Sequence, residues 1–169
     1  MKVILLAGGY GSRLGSVTEL IPKPMVEIGG KPILWHIMKI YAHYGFNEFV
    51  VTLGYKANII KDYFYNIHNN NNDFTIDTLS GKITFHNQLT DDWKVTLVDT
   101  GVNTLKGARI KKVEKYLDDV NMLTYGDGVS DINLKKLLQF HNDHGKMVTI
   151  TGVRPPSMFG EVIEKDGKV

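Results

Sequence analysis

Lys2-Val3-Ile4-Leu5-Leu6-Ala7, running into Gly8-Gly9-Tyr10-Gly11-Ser12-Arg13, is the stretch that sets the fold. Residues 2–7 form a short, nearly continuous apolar run, the pattern of a strand buried on both faces. Three glycines in the next four positions cannot continue a strand cheaply and make a loop. A strand covered on both faces needs helices above and below it, so the expected class is α/β with a mostly parallel central sheet.

Outward from this stretch, residues 8–31 read as irregular, with Pro22 and Pro24 flanking Lys23 and Gly29-Gly30 forming a turn. Pro32 suits the first position of a helix. The spacing predicts that helix over 33–41, with Ile33, Ile37, Ile40 and Tyr41 on one face and Gly45 as its stop. Residues 49–53 read as a second strand closed by Gly54, and Asn58 as the cap of a helix over 59–65. The run Asn69-Asn70-Asn71-Asn72-Asp73 reads as a polar connection. Short strands are expected over 74–77, 82–86 and 94–98, and a helix over 109–118. Residues 122–125 form another apolar strand, ending at Gly126-Asp127-Gly128. Asp131 or Asn133 would cap a helix over 134–143. Strands are expected over 146–153 and 159–164. Asp166-Gly167 is a strong turn pair, after which a second hairpin arm is expected. The chain stops at Val169, so the expectation is one domain over 1–169, incomplete at its C-terminus.

Composition narrows the function. A chain of 169 residues suits one well-buried domain. Its 20 Lys+Arg against 18 Asp+Glu leave a net charge of +2, too small an excess to argue for nucleic-acid binding. With 0 Cys, disulfide scaffolds, thiolate metal sites and cysteine nucleophiles are excluded. The N-terminal apolar run is too short for a signal peptide or a membrane span, and a cytoplasmic protein is expected.

Glycine-rich turns after a first strand expose backbone N–H groups in a concave array that holds phosphate oxygens. The stretch 9–14 lacks the third glycine of the dinucleotide fingerprint, and no Gly-Lys-Ser/Thr triplet of a Walker A loop occurs. Arg13 and Lys23 lie in the same long loop. Arg offers a fork for developing negative charge and Lys a point charge, held between two prolines. Asp127 sits just past a strand end, where open sheets bind ligands, between glycines that allow close approach. One carboxylate with phosphate oxygens and waters is a magnesium-like donor set. Residues 96–109 combine small polar donors, two glycines and a cation, which by chemistry alone is a polar loop suited to a base or sugar hydroxyls. Asp99 has the chemistry of a general base without an identifiable partner. The six histidines form no metal constellation, and His141 and His144 lack the glutamate of a zinc-protease helix.

The segment Leu6-Ala7-Gly8-Gly9-Tyr10-Gly11-Ser12-Arg13-Leu14, followed by Pro22-Lys23-Pro24-Met25, resembles the signature of the sugar-1-phosphate nucleotidylyltransferases. The stretches 26–38, 95–101 and 125–129 are similar to those members that join CTP to glucose 1-phosphate. The resemblance covers essentially the whole chain. It implies a Rossmann-like nucleotidyltransferase fold and the reaction of CTP with α-D-glucose 1-phosphate to give CDP-D-glucose and diphosphate. It implies that Leu6, Ala7, Gly8, Gly9, Gly11, Ser12 and Gly126 surround the nucleotide. Arg13 would steady the leaving pyrophosphate, and Lys23 the α-phosphate and the sugar phosphate. Asp127 would bind Mg²⁺, and Thr104 and Arg109 would belong to the nucleotide and substrate loop. It further implies a homo-oligomer and a product used for bacterial lipopolysaccharide O-antigens.

Two departures stand out. Lys106-Gly107-Ala108-Arg109 replaces the Thr-Gly-Gly-Arg of similar sequences, adding a charge and a Cβ beside base selection. The family's Glu-Lys-Pro sugar-phosphate motif, its Asn-Gly-Gly-Phe segment and its second metal-binding Asp are expected beyond Val169. The competing expectations are a family member using dTTP, UTP or GTP, and a non-catalytic nucleotide-binding fragment.

Overall fold

The computed structural model describes residues 1–10, 20–87 and 91–153. The expected strand over 159–164 and the Asp166-Gly167 turn lie outside the described residues, as do Gly11, Ser12 and Arg13. The described chain divides into a unit over 1–132 and a smaller one from Asn133 onward.

The first unit is built on a four-stranded parallel sheet. Its strands are β1 (Lys2–Leu6), β4 (Glu48–Leu53), β7 (Lys94–Asp99) and β8 (Asn121–Tyr125), in the order β7-β4-β1-β8. Between β1 and β4 come a two-residue hairpin, β2 (Glu27–Ile28) and β3 (Lys31–Pro32), and helix α1 (Ile33–His43). Helix α2 (Ala57–Asn71) and a second hairpin, β5 (Phe74–Ile76) with β6 (Ile83–Phe85), join β4 to β7. Helix α3 (Lys106–Val113) joins β7 to β8.

The apolar run behaves as its pattern requires. Val3 and Leu5 are fully buried and Ile4 nearly so, as Leu6 lies opposite Thr52 on one neighbour and Tyr125 on the other. Phe49, Val50, Val51 and Leu53 complete the core with Leu34, Ile37 and Met38 of α1, Ile60 of α2 and Val113 of α3. The chain steps outward from β1 to β4 and β7, then returns to β8 on the other flank of β1. The direction of winding therefore reverses between β1 and β8, and open α/β sheets bind ligands outside the strand ends at such a point.

Several expected elements are corrected. In α1 the buried set is Leu34, Ile37 and Met38, not Ile33, Ile37, Ile40 and Tyr41. Periodicity alone does not select which face of the helix is buried. Helix α2 starts at Ala57 behind Lys56, whose backbone is left-handed (φ 50°), so Asn58 is inside the helix and not its cap. It also continues into the asparagine run, as far as Asn71. Lys31 Nζ donates to Asn71 Oδ1 at 2.7 Å, Asn72 Nδ2 donates to the His68 carbonyl at 2.7 Å, and the His68 ring packs against Phe85. These partners outweigh the indifferent helix propensity of Asn. The helix expected over 109–118 instead runs over Lys106–Val113, followed by a 3₁₀ turn (Glu114–Tyr116), so 106–109 is its first turn and not a loop.

In the second unit, helix α4 (Leu134–His144) is capped by Asn133, whose side chain accepts from the Lys136 N–H at 3.0 Å. The described residues 146–153 form no strand. Thr149 Oγ1 instead sits between the rings of His141 and His144, at 2.8 and 2.7 Å.

Candidate functional site

The loops leaving the carboxyl ends of β1, β4, β7 and β8 converge. Lys23 opens a single 3₁₀ turn (Lys23–Met25), closed by the Met25 N–H donating to the Pro22 carbonyl at 2.8 Å. Pro24 and Met25 are buried beneath it. On the opposite flank, the Gly126 N–H donates to the Leu6 carbonyl at 3.0 Å, extending the β1–β8 ladder by one step. A Cβ at Gly126 would come within 3.2 Å of that carbonyl, 3.3 Å of Ala7 Cβ and 3.3 Å of Pro24 Cγ. Glycine thus lets the Pro24 turn close on the β8 loop. The result is that Lys23 Nζ lies 2.7 Å from Asp127 Oδ2, both side chains 29% exposed. A cation and a carboxylate from loops about a hundred residues apart meet at the reversal point of the sheet.

Gly8 is buried and Gly9 exposed. The Ala7 N–H donates to the Thr52 carbonyl, and the Gly8 carbonyl accepts from the Tyr55 N–H at 3.2 Å. Gly54, which residue type alone marked only as a strand end, is as tightly placed: a Cβ there would lie 2.6 Å from the Gly8 carbonyl and 3.0 Å from that of Gly101. Tyr10 leans on Tyr55, ring centres 5.3 Å apart, and donates its hydroxyl to Asn103 Oδ1 at 2.9 Å.

The 96–109 region is ordered from within. Arg109 is 5% exposed. Its Nη1 donates to the Leu53 carbonyl at 2.9 Å and to Thr100 Oγ1 at 2.6 Å, and its Nη2 to the carbonyls of Gly8 at 3.0 Å and Val102 at 2.9 Å. Burial lowers its pKa from the ordinary value, and Asp99 acts in the opposite sense. Thr104 donates to the Thr100 carbonyl at 2.6 Å, and Lys112 Nζ reaches the same carbonyl at 2.7 Å. Asp99 accepts from the Gly101 N–H at 2.9 Å. Lys106 Nζ lies 5.2 Å from the centre of the Tyr125 ring. The contacts that Thr100, Gly54, Tyr55 and Tyr10 make here were not read from the sequence. Their contribution depends on tertiary neighbours that no local spacing reveals.

Among the described residues no group of three or more His, Asp or Glu side chains could hold a metal. Asp127 alone fits an ion that arrives with phosphate oxygens and keeps its waters, as magnesium does. It does not form a closed protein cage.

A parallel sheet whose winding reverses beside a glycine turn, with a lysine and an aspartate facing each other across it, is the arrangement of a nucleotide-handling α/β protein. The chain belongs to the nucleotidyl transferase family, whose sequence profile matches residues 2–169. It is 45% identical, over all of its length, to glucose-1-phosphate cytidylyltransferase of Salmonella typhimurium (strain LT2), and spans 66% of that protein. Among solved structures it resembles HddC from Yersinia pseudotuberculosis complexed with GMP-PN, with a TM-score of 0.62 and 30% identity, covering 84% of this chain and 54% of that one. A UDP-glucose pyrophosphorylase complexed with UDP-glucose shares the fold, with a TM-score of 0.60 at 20% identity, covering 85% of this chain and 54% of that one. Among the described residues no helix is long and apolar enough to cross a membrane.

Proposed function

We propose that the intact protein transfers a cytidylyl group from CTP to α-D-glucose 1-phosphate in the cytoplasm, giving CDP-D-glucose and diphosphate. The observation that carries this reading is the approach of Lys23 to Asp127, 2.7 Å apart beside the Gly8–Gly9 turn. The 45% identity to a glucose-1-phosphate cytidylyltransferase supports the choice of CTP and glucose 1-phosphate.

A phosphate oxygen of glucose 1-phosphate attacks the α-phosphorus of CTP in line. The new P–O bond forms as the bond from the α-phosphorus to the bridging oxygen breaks, and diphosphate leaves with that electron pair. A phosphate dianion is already a nucleophile, so no protein base is needed. The chain's work is then positioning and charge neutralisation. The glycine turn, with Gly8, Gly9, Gly11 and Ser12, receives the triphosphate. Lys23 moves its ammonium from the Asp127 carboxylate to the α-phosphate, and Arg13 steadies the departing diphosphate. Asp127 would hold Mg²⁺, which when bound supplies further neutralisation of phosphate charge. Thr104 borders the nucleotide.

Diphosphate release from glucose 1-phosphate, measured with CTP, dTTP, UTP and GTP in turn, tests this on the chain and on a C-terminally extended one. Turnover with CTP by the extended chain, with CDP-glucose as product, is the expected result. Preference for another nucleotide reassigns the base. Nucleotide binding without diphosphate release from either chain overturns the enzyme reading in favour of a binding module.

A further inference from the structure

Arg109 has the chemistry of a phosphate-binding residue but the placement of a strut. Its acceptors come from the ends of three neighbouring strands: Gly8 after β1, Leu53 closing β4, and Thr100 and Val102 after β7. A Cβ on Gly8 would run into the Arg109 guanidinium, and one on Gly54 would lie 2.8 Å from Nη1. The glycines at both positions are therefore fitted to the arginine. The consequence lies in one peptide plane. In a trans peptide the carbonyl oxygen and the next N–H point in opposite directions. Arg109 Nη2 and the Tyr55 N–H both draw the Gly8 oxygen inward. The N–H of Gly9, an exposed residue with open space where a Cβ would stand, is thereby turned outward.

We infer that Arg109 is a positioning residue for phosphate binding. It acts through the Gly8–Gly9 peptide, aiming the Gly9 N–H at the triphosphate. This rests on the triphosphate reading above. Lysine keeps the positive charge but cannot span four acceptors at once, because it lacks the planar fork.

The test uses two probes, CTP and inorganic tripolyphosphate, titrated calorimetrically into the wild-type chain, Arg109→Lys and Gly54→Ala. Tripolyphosphate has neither base nor ribose. Because a lost hydrogen bond to a charged group costs about tenfold or more in affinity, Arg109→Lys is expected to weaken both probes by the same factor, about tenfold or more. Gly54→Ala alters no ligand-facing group, yet it pushes the Gly8 carbonyl and the guanidinium, and should weaken both probes alike. Weaker CTP binding with unchanged tripolyphosphate binding would mean that Arg109 meets the base or ribose, and overturns the proposal. Unchanged binding of both probes in a folded Arg109→Lys chain overturns it as well. If the wild-type chain binds neither probe, the triphosphate reading has failed. The positioning claim is then decided by the Gly9 amide resonance, which must shift in Arg109→Lys and in Gly54→Ala.

Discussion

Lys23 stands on a pedestal that the sequence announces and the packing completes. Pro22 and Pro24 restrict the backbone on either side, and buried Pro24 and Met25 anchor the turn below. The ammonium can therefore be removed without unsettling its support. Its pairing with Asp127 is partly exposed, and such pairs contribute about 1 kcal/mol or less to stability. Its contribution to turnover should be larger, because a preorganised cation costs no reorganisation when charge develops on the phosphates. Lys23→Ala is expected to lower kcat/KM of the C-terminally extended chain at least about 10²-fold, roughly 2.7 kcal/mol, while moving the melting temperature little. Asp127→Ala should match it. Steady-state kinetics on folded variants check both, and near-wild-type turnover would remove these residues from the site. Lys23 and Asp127 were singled out from the sequence because prolines and glycines mark their loops. The setting of Arg109 was not, because its acceptors are carbonyl oxygens, which every residue carries, gathered by the sheet from positions as far apart as Gly8 and Val102.

The strands of the sheet were legible where burial on both faces makes their sequence apolar throughout, as in β1 and β4. Helices were legible in kind but not in extent. In α2 the asparagine run reads as a connection, yet Lys31 and Phe85 reach it from other elements and hold it helical to Asn71. Residues 146–153 are rich in β-branched side chains and read as a strand, but a strand exists only with a partner, and none pairs with them among the described residues. The start of α4 shows the finer limit. Asp131 and Asn133 have equal claims by residue type, and geometry chooses Asn133, whose Oδ1 accepts the Lys136 N–H. Asn133→Ala should therefore cost about 1 kcal/mol of stability in denaturant unfolding, while Asp131→Ala should cost close to nothing. Equal losses from the two would mean that the cap is shared or misplaced.

One sheet presents opposite chemistry at its two ends. The carboxyl ends of the strands carry the glycine turn, Lys23 and Asp127. The amino ends carry an ion lattice that closes the bottom of the fold. The Met1 ammonium lies 3.0 Å from Asp118, and Lys2 lies 2.8 Å from Glu48 and 3.6 Å from Asp118, with Lys94 at 3.8 Å from Glu48. These residues sit at or just before the starts of β1, β4, β7 and β8, so the lattice ties together strands that the chain visits far apart in sequence. The hydrogen bond from the chain's own N-terminus holds Asp118 below the usual carboxylate range, and that from Lys2 does the same for Glu48. A carboxylate with a depressed pKa in the folded state contributes stability above its unfolded pKa, about 3.9 for Asp and 4.3 for Glu. That contribution is lost as pH falls through the lower, folded value. The melting temperature should accordingly fall as pH is lowered from about 5 toward 3, and Asp118→Asn should flatten this slope without altering the nucleotide binding proposed for the far end of the sheet. Because both carboxylates face solvent, salt should screen their partners, and the difference between wild type and variant should shrink at high ionic strength. Thermal melts across that pH range at low and high salt measure it. Identical pH slopes for the two proteins at low salt would show that the lattice is a surface decoration, leaving the hydrophobic packing of β1 and β4 to hold the sheet together.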